Sequence, residues 1–183
     1  MNNSFAKKTP NFAKPLNPLK NLGSRQTYGK SNISDEISIL NTIANIHINH
    51  KEYSYAIDSY KKILNIYLSN NFHYLKIINI KNNINYLQLI LKINKLNSEK
   101  KTLQNNLLIL ESTNSLAKFS KSKLYQQLIS TDHKGFFIVP DEQLEQYVNS
   151  DKQFKLISHI RRITNINQSI SLLYYQLGKY QSN

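Results

Sequence analysis

From Ile33 to the C-terminal end, apolar residues recur three and four apart with polar residues between them, the spacing of amphipathic helices. Ile33, Ile37, Leu40, Ile43, Ala44 and His47 fall on one face, and Ser34-Asp35-Glu36 supplies a helix start signal at their head. After a polar turn at His50-Lys51-Glu52, a second stripe runs through Tyr53, Ala56, Ile57, Tyr60, Ile63, Leu64 and Tyr67, and Ser69-Asn70-Asn71 closes it. Further helices are predicted over residues 72–95, with Leu75, Ile78, Ile80, Ile84, Leu87 and Leu91, and over 98–110 and 115–129. Thr131-Asp132-His133-Lys134-Gly135 reads as a loop, followed by the one β-like run, Phe136-Phe137-Ile138-Val139. That run is expected to cover the core, with a docking strand as the alternative. Pro140-Asp141-Glu142 starts a helix to Val148, because proline fits a first helical turn and acids suit its positive end. Two last helices are predicted over 152–164 and 168–177. The expected fold is all-α, built of antiparallel helical hairpins.

Residues 1–31 lack this order. They hold three of the four prolines, Pro10, Pro15 and Pro18, which interrupt any continuous helix by fixing φ and removing a donor. They also hold Lys7, Lys8, Lys14, Lys20, Arg25 and Lys30 and no acidic residue. The chain is thus read as a basic extended tail, 1–31, followed by a helical domain, 32–183. Fully extended, such a tail reaches on the order of 100 Å. Its basic, acid-free composition is that of an organelle presequence, but the prolines spoil the amphipathic helix such a signal needs.

Composition narrows the functional classes. With no cysteine, disulfide scaffolds, thiolate metal sites and cysteine nucleophiles are excluded. The 25 Asn, 23 Ile and 21 Lys against 5 Ala and 2 Val are the skew that AT-rich coding imposes, pointing to a plastid, a mitochondrion or an AT-rich microbe. That skew also weakens any argument from lysine number alone. The net charge is +13, yet only three arginines contribute, Arg25 and the adjacent pair Arg161-Arg162. Lysine meets phosphate as a point charge, so contacts to RNA would be backbone-directed and salt-sensitive. Arg161 and Arg162 are the candidate contacts to phosphate or to an acidic surface in the helical part. Polar residues interrupt every long apolar stretch, so no membrane span is expected.

Residues 37–68 resemble a single tetratricopeptide repeat. Leu40, Ile43, Ala44, His47, Tyr53, Ala56, Tyr60 and Ile63 stand at its pattern positions. Ala44 and Ala56 would let two antiparallel helices approach closely, while Tyr53 and Tyr60 fill the adjoining groove. Within 167–180, the run Leu173-Tyr174-Tyr175-Gln176-Leu177-Gly178-Lys179-Tyr180 resembles the first helix and turn of another repeat. The segment between lacks the alanine positions, and no proline closes the first repeat, so a generic helical bundle is the alternative reading. The resemblance implies a protein-binding scaffold without chemistry of its own. One and a half repeats make little groove, which shifts weight from peptide capture to docking.

Catalytic patterns are missing. The glycines, Gly23, Gly29, Gly135 and Gly178, form no phosphate loop, and there is no nucleophile elbow. His47 and His50 are three apart, a spacing that can serve one metal, but a packing histidine and a helix-terminal one explain them better. Asp141, Glu142 and Glu145 are better explained by the dipole of their helix than as an acid/base pair. The expectation is a protein that is not an enzyme and needs no metal, cofactor or small-molecule substrate. It is expected to act as a structural or linker subunit of a large intracellular assembly, soluble or peripheral, whose body docks on protein subunits while the tail follows an acidic surface. In composition the tail resembles those of antenna linker polypeptides and ribosomal-protein extensions. An RNA-binding component and a tetratricopeptide-like assembly factor are the alternatives.

Overall fold

The computed structural model describes residues 30–112 and 114–181, which form α1 (Lys30–Asn49), α2 (Tyr53–Ser69), α3 (Tyr74–Glu111), α4 (Asn114–Phe119), α5 (Lys123–Ile129), a 3-10 helix (Asp141–Tyr147) and α6 (Asp151–Gln181). Among the described residues no strand forms beyond a single antiparallel bridge, Thr131 with Phe137. The fold is all-α. The chain divides into two compact units, Met1–Leu87 with Gly178–Asn183, and Gln88–Leu177.

In the first unit, α1 and α2 pack as a hairpin. Ala44, Ala56 and Ile63 are fully buried, with Tyr60 and Ile57 nearly so, so small side chains allow the close approach expected of them. The turn between the helices contains no glycine. Lys51 takes a left-handed φ of 62°, and the Glu52 amide donates to the His47 carbonyl at 2.8 Å, satisfying an orphan acceptor of the helix end. At the end of α2, Asn71 (φ 50°) plays the same part, and the Phe72 amide donates to the Tyr67 carbonyl. The Phe72 ring then lies 4.9 Å from that of Tyr67. α1 starts at Lys30, so Asp35 and Glu36 sit a full turn inside the helix instead of at its head.

In the second unit, Leu116, Phe119, Tyr125, Leu128, Leu144, Leu156 and Ile157 form the core, drawn from α4, α5, the 3-10 helix and α6. The helix expected over 115–129 is broken here. Ser122 is extended, and its hydroxyl accepts the Tyr125 amide at 3.1 Å, so α5 starts afresh with a serine cap. The helix expected to begin at Pro140-Asp141 is a 3-10 helix, with Pro140 preceding it and Leu144 buried beneath it.

Two expected breaks do not occur. Residues 72–95 and 98–110 join into the 38-residue α3, and 152–164 and 168–177 join into α6. Neither junction holds glycine or proline, so nothing in the backbone ends the helix. The buried stripe of α3 changes phase instead. Ile80, Ile84, Leu87 and Ile93 are buried and Ile90, Leu96, Leu103 and Leu107 half-buried; Leu87, Ile90, Ile93 and Leu96 stand three apart, so the stripe drifts round the helix until Leu96 lies opposite Leu87. A phase slip without a helix break reads in a sequence as two helices. α6 likewise runs through Gly178, so the turn implied there by the repeat resemblance is absent.

Candidate docking site around Arg161

Arg161 lies on α6 four residues after Ile157, on the helix's inward stripe, and its side chain is only 2% exposed. Burying a guanidinium is costly unless its donors are matched. Here Nε and one terminal nitrogen both donate to the Leu128 carbonyl, at 3.0 and 2.7 Å, and the other donates to Asp141 Oδ1 at 2.7 Å. Leu128 belongs to the last turn of α5, where carbonyls have no intrahelical partner, so Arg161 caps that helix from 33 residues away. The guanidinium carbon Cζ lies over the Phe137 ring, 4.7 Å from its centroid. One side chain thus gathers the end of α5, the run 136–139 and the first residue of the 3-10 helix. Asp141 is 71% exposed, so the ion pair itself is largely screened; the carbonyl bonds and the ring contact hold the arrangement.

The loop before this run is ordered by its own chemistry. Asp132 Oδ1 accepts the amides of Lys134 and Phe136, both at 2.9 Å, and the Asp132 amide donates to the Phe136 carbonyl at 2.8 Å. Gly135 closes the turn at φ +85°, the left-handed position of a three-residue hairpin loop. Its carbonyl accepts from Gln168 Nε2 at 3.2 Å. A Cβ on Gly135 would stand 2.6 Å from that same nitrogen.

On this pinned turn the side chains of 136–139 alternate. Phe137 and Val139 turn inward, half-buried, while Phe136 and Ile138 are 70% and 64% exposed. The inner face of this run covers the core, as expected, and its outer face is open. Beside it lies a cleft of about 430 Å³, lined by Leu124, Gln127, Leu128, Ser130, Ile138, Val139 and Tyr147. That lining offers apolar surface and two neutral polar groups, with no acid, base or nucleophile pair except the lone Tyr147 phenol.

The other sequence candidates are dispersed. Arg162 points away from Arg161 and donates through Nε to Glu99 Oε1 at 2.7 Å. That bond holds the Glu99 carboxyl below its ordinary pKa and raises that of Arg162. Both arginines, expected at phosphate or an acidic partner, thus find acidic partners within the chain. His47 Nδ1 is 2.7 Å from Glu52 Oε2 and its ring lies 5.2 Å from that of Tyr55. Among the described residues no three His, Asp or Glu side chains converge on a metal position. Of the repeat residues, Ala44, Ala56 and Tyr60 are buried, Leu40 and Tyr53 half-buried, and Ile43 exposed at the margin of the helix contact. Lys7, Lys8, Lys14, Lys20 and Arg25 lie outside the described residues, and Lys30 is the first residue of α1. No described helix is long and apolar enough to cross a membrane.

Asp141 and Phe137 are the site residues that reading the sequence missed as partners of Arg161. The usable signal was the position of Arg161 in the stripe Leu156, Ile157, Ile160, since an arginine there needs acceptors.

No known protein family, curated protein or solved structure matches this chain.

Proposed function

We propose that this protein is a non-catalytic structural subunit of a larger assembly, docking on a partner protein through the turn that presents Phe136 and Ile138. The basic residues of the N-terminal 31, Lys7, Lys8, Lys14, Lys20, Arg25 and Lys30, add a second, electrostatic attachment to an acidic surface. The observation that carries the reading is an exposed Phe-x-Ile pair on a turn fixed from beneath by Arg161, Asp132 and Gly135. Exposed aromatic and aliphatic side chains cost solubility, and a turn already held in one conformation loses little entropy on binding. Such anchors beside an apolar cleft are the usual centre of a protein interface. The buried alanines of the α1–α2 hairpin support a scaffold element of the tetratricopeptide type in the same body.

The test is affinity purification of the full chain from native cells, with and without nuclease, beside a Phe136→Ser/Ile138→Ser variant. A stoichiometric protein partner that survives nuclease and is lost with the variant supports the proposal. Partners that disappear with RNA, or that the variant retains, overturn it. Replacing Lys7, Lys8, Lys14 and Lys20 with glutamine should weaken the complex most at low salt.

A further inference from the structure

The turn between α2 and α3 is held in part by an imidazole. Asn71 closes α2 and Phe72 packs its ring on Tyr67, so the chain enters α3 from a fixed position. His73, the residue before α3, then accepts twice from the first turn of that helix. Its carbonyl takes the Lys76 amide at 2.9 Å, and its ring Nδ1 takes the Leu75 amide at 3.3 Å. This is the work of an N-cap, whose side chain satisfies an amide that has no intrahelical partner. Serine, threonine and asparagine cap at any pH. Histidine caps only while Nδ1 keeps its lone pair, in the tautomer that carries its proton on Nε2.

The surroundings of His73 all disfavour a second ring proton. It would turn the acceptor into a donor facing the Leu75 amide, and it would set a cation at the positive end of the 38-residue α3. Lys76, three residues on, holds a like charge in the same turn, with its Nζ 5.2 Å from the centroid of the Phe72 ring. No acid stands in the first turn of α3. On α1 and α2, Glu52 pairs with His47 and Asp58 with Lys61, and neither Asp35 nor Glu36 pairs with His73. His47, at the other turn of this unit, has the opposite setting: its Nδ1 faces the Glu52 carboxylate at 2.7 Å, so a proton there completes an ion pair.

We propose that His73 is a pH-sensitive cap, which holds the start of α3 while its ring is neutral and releases the first turn when the ring is protonated. The stabilisation is present above the ordinary imidazole range, near pH ~6.5, and is lost as pH falls through it. Acid therefore loosens the α2–α3 junction while it tightens the α1–α2 turn. The inference is independent of the docking turn at Phe136.

Amide exchange of the full chain tests it, measured by NMR at about pH 7.5 and about pH 5 and corrected for the intrinsic pH dependence of exchange. Protection of the Leu75 and Lys76 amides should fall about fivefold in acid, the loss expected of a missing cap, while that of Glu52 does not fall. His73→Asn should stay protected at both pH values, and His73→Ala should be low at both. Protection that is flat in the parent overturns the proposal, as does a fall that persists in His73→Asn. An equal fall at Ile84 and Leu87, farther along α3, would mean that acid opens the whole helix, and overturns it too.

Discussion

The α1–α2 hairpin and the unit around Arg161 hold their helices together by different means. In the hairpin the contacts are apolar and near in sequence: Ala44 meets its surroundings across a three-residue turn, and Ala56, Tyr60 and Ile63 follow at helical spacing. In the second unit an apolar core drawn from four elements is joined by polar contacts between residues distant in sequence. Arg161 bonds to residues 33 and 20 positions earlier, and Arg162 to one 63 positions earlier. The first arrangement depends on side-chain volume and tolerates any neutral polar change at the surface. The second depends on one buried donor set, and its loss is felt in three segments at once. A short helix such as α5, with seven residues, is marginal by itself and is made stable by what caps it.

The sharpest way to break this contrast is Arg161→Met. The Leu128 carbonyl would lose both donors and the Phe137 ring its cation, at a cost of about 3 kcal/mol from an unsatisfied buried acceptor and imperfect repacking. Urea unfolding checks it; a loss below 1 kcal/mol would mean the apolar core alone holds the second unit. The matching change in the hairpin is Ala44→Leu or Ala56→Leu, each expected to cost about 2 kcal/mol by overpacking where no space remains. A neutral result would show that the helices can move apart freely, which a close-packed hairpin forbids.

Next comes Gly135→Ala, at about 1–2 kcal/mol, because an L side chain at φ +85° is strained and its Cβ meets Gln168. It should also weaken partner capture, since it deforms the turn that carries Phe136. Smaller still is Asp141→Asn, at about 0.5–1 kcal/mol, as the exposed carboxylate is screened and Arg161 keeps its bonds to Leu128. If Asp141→Asn proved as costly as Arg161→Met, the ion pair and not the helix cap would be the centre of the unit.

Titration gives the finest comparison. Burial pushes the phenols of Tyr60 and Tyr67 in the hairpin above their ordinary value near 10.0. Their contribution is therefore intact below that value and is lost as pH rises through the folded-state value, because the unfolded chain releases those protons first. Thermal melts in alkali should show it, and Tyr60→Phe should reduce it. In the second unit the Glu99 carboxyl is held low by Arg162, so its contribution is present above pH ~4.5 and falls away in acid as that carboxyl is protonated. Being exposed, it should give the smallest effect of all, and Glu99→Gln should remove it.

Most of the helical body was legible because amphipathic spacing is a local property. Ile33 to Tyr67 spelled out both hairpin helices, and their polar turn fell where Lys51 reverses the chain. The misreadings share a cause. The buried stripe of α3 drifts round the helix between Leu87 and Leu96 without breaking its backbone, and Ser122 breaks the backbone of 115–129 without breaking its periodicity. Periodicity reports the side that is buried; helix continuity depends on capping and on glycine or proline. The candidate site was half legible. The run Phe136–Val139 and the turn at Gly135 stood out, whereas Arg161 was read as a surface cation because a guanidinium's place depends on acceptors supplied from far along the chain.

The sequence by itself determined an all-helical body, the close hairpin built on Ala44 and Ala56, and a basic, proline-interrupted N-terminal segment, since spacing, side-chain volume and φ restriction act between near neighbours. Only the tertiary structure decided that Arg161 lies inside, with Leu128, Asp141 and Phe137 as its partners, and that Phe136 and Ile39 face outward. Those outcomes turn on desolvation, which no residue can settle until the rest of the chain has packed around it.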